Sequence, residues 1–236
     1  MMALPADMLA SRVLFRDAWM LIIDKPAGLP VHGGSGGGDN LENYFEALRF
    51  GLPRLPSLAH RLDRDTSGCL ALGRHKQSLK ALGNLFAAGK IHKTYWAVTD
   101  GIPDKKQRRI NLPLAKQTTQ KNRWWMKVDE AGVSAITDYK VLGTFENNAW
   151  IEFTPRTGRT HQIRVHAAAI GCPLVGDPVY NPATTSSCLH LHARTLTIPL
   201  YPQKEAIRAE APPPVHLLPA LTKCGFLHEQ VLTSTH

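Results

Sequence analysis

Between His60 and Gly68 the chain reads His-Arg-Leu-Asp-Arg-Asp-Thr-Ser-Gly, so two acids, two arginines and a histidine fall within six residues. The apolar run Cys69-Leu70-Ala71-Leu72-Gly73 follows at once and reads as a strand that a fold would bury. A carboxylate at the edge of an interior, with cations on either side, has the chemistry of a positioned nucleophile, and Asp63 stands in that place. The structural alternative is an aspartate that caps a turn or accepts backbone N–H groups.

A second cluster runs from Arg156 to His166, Arg-Thr-Gly-Arg-Thr-His-Gln-Ile-Arg-Val-His. Thr160 is expected to cap a helix that runs to Ile170, with Gly171 as its stop and Pro173 beyond. On that helix Ile163, Ala167 and Ile170 form an apolar stripe, and His161, Arg164 and Ala168 lie along the next one. Arg164 thereby sits in the first turn beside small alanines. Between the two clusters, Lys93 to Val98 alternates as a strand, with Lys93, Tyr95 and Ala97 on one face and Thr94, Trp96 and Val98 on the other.

Other chemistries are tested and set aside. His161 and His166 are five apart, on different sides of a helix; His190 and His192 share a strand face with no third ligand near in sequence, so no metal is expected. The run Gly33 to Gly38 lacks the Gly-Lys-Ser/Thr ending of a phosphate loop. Four cysteines without a Cys-x-x-Cys spacing read as reduced, mostly buried residues. No apolar run approaches the roughly 20 residues that span a bilayer, and Met1 to Arg12 lacks the core of a signal peptide, so a cytoplasmic protein is expected.

The elements that must position these residues follow from patterning. Val13-Leu14-Phe15 and Met20-Leu21-Ile22-Ile23 predict a hairpin with a buried second strand. Asp39 or Asn40 is placed to cap a helix through Leu41, Tyr44, Phe45 and Leu48, and Leu79, Leu82, Leu85 and Phe86 mark another that stops near Gly89. Strands return at Ala135 to Leu142 and at Ala149 to Thr154. The expectation is an α+β fold: one catalytic domain over residues 8–230, a largely antiparallel or mixed sheet with flanking helices and a cleft.

The formal charge of +9, from 28 basic and 19 acidic residues, suits a phosphate backbone. The segment from Asp104 to Lys127 concentrates Lys105, Lys106, Arg108, Arg109, Lys116, Lys121, Arg123 and Lys127 around Trp124-Trp125. Basic side chains that track phosphates, with aromatic faces for unstacked bases, are the means of single-stranded RNA recognition.

Taken together, His60 to Gly68, Lys93-Thr94-Tyr95-Trp96-Ala97 and Arg156 to His166 resemble the RluA-type family of RNA pseudouridine synthases. Asp24-Lys25-Pro26-Ala27-Gly28-Leu29, Gly176-Asp177-Pro178-Val179-Tyr180 and Leu191-His192-Ala193 match in the family's order, so the resemblance spans about residues 12 to 212. It implies a short member without the N-terminal S4 domain, an isomerase that flips a uridine of ribosomal RNA or tRNA out of its stack and converts it to pseudouridine. By this resemblance Asp63 is the catalytic aspartate, Arg164 its ion-pair partner, Tyr95 the aromatic residue on the base and Arg61 the side chain that holds the flipped conformation. His60, Ile163, Thr66 and His161 are further substrate-binding candidates. Arg64, Lys93, Arg123, Trp124 and Arg159 are candidate RNA contacts. No cofactor and no metal are implied, and a monomer is expected. The competing classes are an RNA-binding or RNA-folding protein and a uracil glycosylase-like enzyme, which would release free base.

Overall fold

Asp17 closes the first turn of the chain, its Oδ1 accepting the backbone N–H groups of Trp19 and Met20 at 2.8 Å each. The computed structural model, which describes residues 7–33, 38–119 and 124–227, thus shows the expected hairpin. Strand β1 (Val13–Arg16) pairs antiparallel with β2 (Met20–Lys25), and every residue of β2 is buried. Asn40 caps the next helix by accepting from the N–H of Glu42; Leu41, Phe45 and Leu48 turn inward as the spacing predicts, although Leu41–Leu48 winds as a 3-10 helix. Then come β3 (Ser57–Leu58), β4 (Ser67–Gly73) and helix α1 (Lys76–Ala87). His75 and Ser78 cap α1 reciprocally, and Gly89 follows with φ +64°.

The chain continues through β5 (His92–Asp100), β6 (Gln107–Asn111), β7 (Leu114–Thr118), β8 (Trp124–Val128), β9 (Ile136–Phe145), β10 (Asn148–Pro155) and helix α2 (Gln162–Ala169). Strands β11 (Leu191–Ile198) and β12 (Ile207–Glu210) and helix α3 (Leu218–Lys223) complete it. The α+β class expected from the pattern is the one observed. The fold groups into two compact units, residues 1–93 with 193–212 and residues 94–192 with 213–236.

In the first unit the strand order is β1-β2-β4-β11-β12, with β3 also on β4. Met20, Ile22, Ala71, Leu82, Leu196 and Ile198 form its core. In the second, β5-β10-β9-β6 form an antiparallel sheet, and β7 and β8 form a separate hairpin. The two faces predicted for β5 are separated as expected. Ala97 and Tyr95 join Ile151, Phe153, Ile163 and Ala167 on the α2 side, whereas Val98 and Trp96 join Trp150, Leu217, Leu221 and Phe226 on the α3 side.

The start of α2 departs from expectation. Thr160 is not its cap: the helix begins at Gln162 after His161, which adopts the left-handed conformation at φ 54° and makes no side-chain cap. The buried amide of Gln162 takes over the work. Its Oε1 accepts from the Thr157 hydroxyl (2.7 Å) and the Arg159 N–H (3.0 Å), and its Nε2 donates to the Ile136 carbonyl (2.9 Å) and Thr137 Oγ1 (3.0 Å). A buried primary amide must fill its bonding positions: two of these bonds tie α2 to β9, and two hold the loop that leads into the helix.

Candidate active site

The loop that carries Asp63 is anchored from below by Lys25. This side chain is fully buried at the end of β2, and its ammonium donates to the carbonyls of Pro26 (2.8 Å), Arg64 (2.9 Å) and Thr66 (2.9 Å). Three carbonyls match the three donors of an ammonium group. Burial pulls the Lys25 pKa down to about 7, against the opposing charges of Asp65, Asp63 and Asp24. Asp24 is itself gripped by Arg12, Nη2 to Oδ2 at 2.6 Å, although burial raises its pKa to about 6.

The loop closes on itself where the Thr66 N–H donates to the Asp63 carbonyl at 3.2 Å. Gly68, the second residue of β4, has φ +104°; a Cβ there would stand 2.3 Å from the Ala193 carbonyl oxygen. Only glycine fits that approach. The result is a half-buried Asp63 on a short turn whose neighbours differ sharply: Leu62, Thr66 and Ser67 are buried, Arg61 and Arg64 exposed. Arg64 lies 3.5 Å from Asp65.

Lys25→Met keeps the length of the side chain and removes all three donors. It is expected to destabilise the fold by about 2–4 kcal/mol, since the carbonyls lose their buried partner. A thermal melt coinciding with that of the wild type would refute the anchoring role.

His60 is committed to the same unit. Its Nε2 accepts the Ala71 N–H at 3.0 Å and its ring lies 4.6 Å from that of Phe86. Burial, then the nearby Lys93 charge, push its pKa down to about 3, so the ring is neutral and the acceptor lone pair is retained. Lys93 also approaches Phe86, its ammonium 5.9 Å from the ring centroid, with its pKa lowered by burial.

In the second unit the dominant polar feature is the pair of Arg164 and Asp177. Nε and Nη2 of Arg164 donate to Oδ2 and Oδ1 of Asp177 at 2.7 and 2.8 Å, and both side chains are almost wholly buried. Asp177 Oδ1 also accepts the N–H groups of Val179 (2.9 Å) and Tyr180 (3.1 Å). Burial alone would raise the Asp177 pKa; the guanidinium and the two backbone donors outweigh it and hold the carboxyl below its usual range. The guanidinium further lies 5.2 Å from the Tyr180 ring centroid. In the sequence Asp177 is only part of a matching motif. An acid before proline signals a turn, and its 13-residue separation from Arg164 hides the pairing.

The remaining candidates are placed as follows. Ile163 belongs to the core on the α2 side, with Tyr95 packed against it. Arg159 is exposed and donates to the Ser134 carbonyl at 3.2 Å. His161 and Trp124, assigned separately in the sequence, are brought together: their rings stack at 5.3 Å and 24°. Arg123 lies outside the described residues. Among the described residues no three His, Cys, Asp or Glu side chains converge as a metal site, and no helix is long and apolar enough to cross a membrane.

Comparison with known proteins places the chain in a family. The sequence model of the RNA pseudouridylate synthase family matches residues 19–169. An uncharacterized RNA pseudouridine synthase of Zymomonas mobilis is 46% identical over 221 residues, covering 92% of this chain and 99% of that protein. Ribosomal large subunit pseudouridine synthase C of Yersinia pestis is 35% identical over 212 residues, 86% of this chain and 66% of that one. Among solved structures, human RNA pseudouridylate synthase domain containing 4 superposes with a TM-score of 0.75 at 26% identity, covering 93% of this chain and 95% of that one. With the match extending over more than half its length, the chain belongs to the RNA pseudouridylate synthase family, isomerases that convert uridine to pseudouridine in RNA.

Proposed function

We propose that this protein isomerises one or more specific uridines of ribosomal RNA or tRNA, as a cytoplasmic monomer, with Asp63 as the catalytic carboxylate. The observation that carries the Asp63 assignment is the construction of its loop, with a buried ammonium spent on three carbonyls and a glycine that admits no side chain. Such investment in one turn is what a carboxylate needs if it is to be held in place before the substrate arrives. The Yersinia pestis relative named for the large ribosomal subunit supports a ribosomal substrate.

The proposed reaction breaks the bond from C1′ to N1, turns the bound uracil and joins its C5 to C1′. A proton leaves C5 and one arrives at N1, so atoms balance and no oxidant, reductant or cofactor is called for. Asp63 attacks C1′ or removes a ribose proton to give a glycal. Arg61, exposed on the same turn, fills the space left by the flipped base. Tyr95 stacks on the uracil, and Arg164 supplies the positive charge that favours an ionised aspartate. The test is release of tritium from RNA labelled at uracil C5. Wild-type protein is expected to release it to water without freeing uracil; free uracil in the products would instead mean a glycosylase.

The basic segment supports RNA binding in a narrower form than composition suggests. Arg109 is matched by Asp138 (2.7 Å) and Lys127 by Asp129 (3.0 Å), while Lys105, Lys106, Arg108 and Lys116 stand exposed. Changing these four to Gln is expected to weaken RNA binding and to flatten its salt dependence, the log–log slope falling by up to about 0.7 for each phosphate no longer neutralised. An unchanged slope would show that they touch no phosphates.

A further inference from the structure

The hairpin of β7 and β8 presents one large aromatic surface. Trp124 opens β8 with 44% of its surface exposed, a high value for an indole within a strand. Its ring is backed by the imidazole of His161 at 5.3 Å and 24°, and the Lys116 ammonium lies 5.2 Å from its centroid. Among the described residues the packing of the hairpin is carried by other side chains. Leu114 and Met126 already join the hairpin to Ala135, Val165 and Tyr180, so Trp124 is additional to that packing.

The backing ring is held from several sides. His161 adopts φ 54°, a conformation uncommon among non-glycine residues. Its Nδ1 lies 3.0 Å from the Tyr180 hydroxyl, and the two rings meet edge to face at 5.7 Å. The same hydroxyl accepts the Met126 N–H at 3.0 Å, which ties β8 to the pair. A rigid two-ring stack, open to solvent and carrying a cation, has the three attributes of a base-stacking platform: a π-face already ordered, low side-chain entropy to lose, and a positive charge within reach of the phosphate attached to the base.

We propose that Trp124, backed by His161 and flanked by Lys116, is a stacking subsite for one unpaired base of the RNA, distinct from the uridine that is isomerised. The proposal rests on the reading of RNA as the substrate. Stacking is tolerant of sequence, and a purine offers the larger face, so the subsite favours adenine or guanine over a pyrimidine. When the base docks, Lys116 turns from the indole to the phosphate. The subsite contributes to binding and leaves the chemical step alone.

The probes are single-stranded oligoadenylate and oligouridylate twelve-mers, titrated into the full chain at several salt concentrations with fluorescence anisotropy as readout. Trp124→Ala is expected to weaken oligoadenylate binding about 5- to 160-fold with an unchanged salt slope, since an indole neutralises no phosphate. Trp124→Phe should restore most of the affinity, which also controls for damage to the fold. Lys116→Gln should reduce the slope by about 0.7. Oligoadenylate should bind more tightly than oligouridylate to the wild type, and this preference should vanish in Trp124→Ala.

Binding by Trp124→Ala within twofold of wild type would overturn the subsite, as would a weakening that Trp124→Phe does not recover. In the tritium-release assay Trp124→Ala should raise KM and leave kcat unchanged. The two readings fail separately. If the wild type releases no tritium from any cellular RNA while oligoadenylate binding still depends on Trp124, the substrate assignment falls and the subsite stands. Normal turnover and KM in Trp124→Ala, with unaltered oligoadenylate binding, would remove the subsite alone.

Discussion

Asp63→Asn is expected to reduce pseudouridine formation by at least about 10⁴-fold, the scale of loss when the attacking group of a covalent catalyst is removed, while the protein melts as the wild type does. Asparagine has the same shape, and the turn keeps the bonds that run from Lys25 to the carbonyls of Pro26, Arg64 and Thr66, and from the Thr66 N–H to the Asp63 carbonyl. Asp63→Glu retains the charge but displaces it by about one methylene, and a shift of about 1 Å can lose about 10²-fold. The measurement is single-turnover release of tritium from C5-labelled RNA, beside a thermal melt. Turnover by Asp63→Asn within tenfold of wild type would move the catalytic role elsewhere on the chain; a collapsed melt would make Asp63 a structural residue.

Asp177→Asn is expected to destabilise the fold by about 3–5 kcal/mol, because it takes from the buried Arg164 the carboxylate that accepts from both its Nε and its Nη2. Arg164 and Asp177 are both almost wholly buried, and the carboxylate accepts two guanidinium bonds and two backbone N–H bonds at once. A neutral amide can still accept from Val179 and Tyr180, yet it cannot receive both guanidinium donors, since its nitrogen is itself a donor. Replacing both partners separates structure from function: Asp177→Leu with Arg164→Met should recover much of the lost stability and remain inactive if Arg164 serves the reaction. Full activity in that double variant would reduce Arg164 to a structural role. Urea unfolding measures the first effect and tritium release the second.

The same pair gives stability a direction with pH. The Asp177 carboxyl is held below its usual range in the fold, so the native state binds this proton less readily than the unfolded chain. Its contribution is therefore fully present above the unfolded value of about 3.9 and declines as pH falls through the folded value. Acid unfolding of wild type should be steeper below about pH 4 than that of the Asp177→Leu, Arg164→Met variant.

Much of this protein is legible in the order of its residues. Strand periodicity carries β2, β4, β5, β9 and β10, because a buried strand is largely apolar and a two-faced strand alternates. The inner and outer faces of β5 follow from the two-residue period alone. The cluster around Asp63 stands out because charged residues of both signs rarely crowd against an apolar run, and motifs in matching order name the family. These are local signals, set by neighbours within a few residues.

Pairings between distant residues have no such signal. Nothing in the order of residues says that Lys25 reaches the carbonyls of Arg64 and Thr66, 39 and 41 positions on, that Asp177 takes up Arg164, or that His161 backs Trp124. Polar groups removed from water must find partners among whatever the packed chain brings near, and burial made those choices. The start of α2 shows the same division: threonine at position 160 is a sound cap by local preference, but the buried Gln162 amide had four partners waiting on neighbouring segments, and satisfying them outweighed the cap.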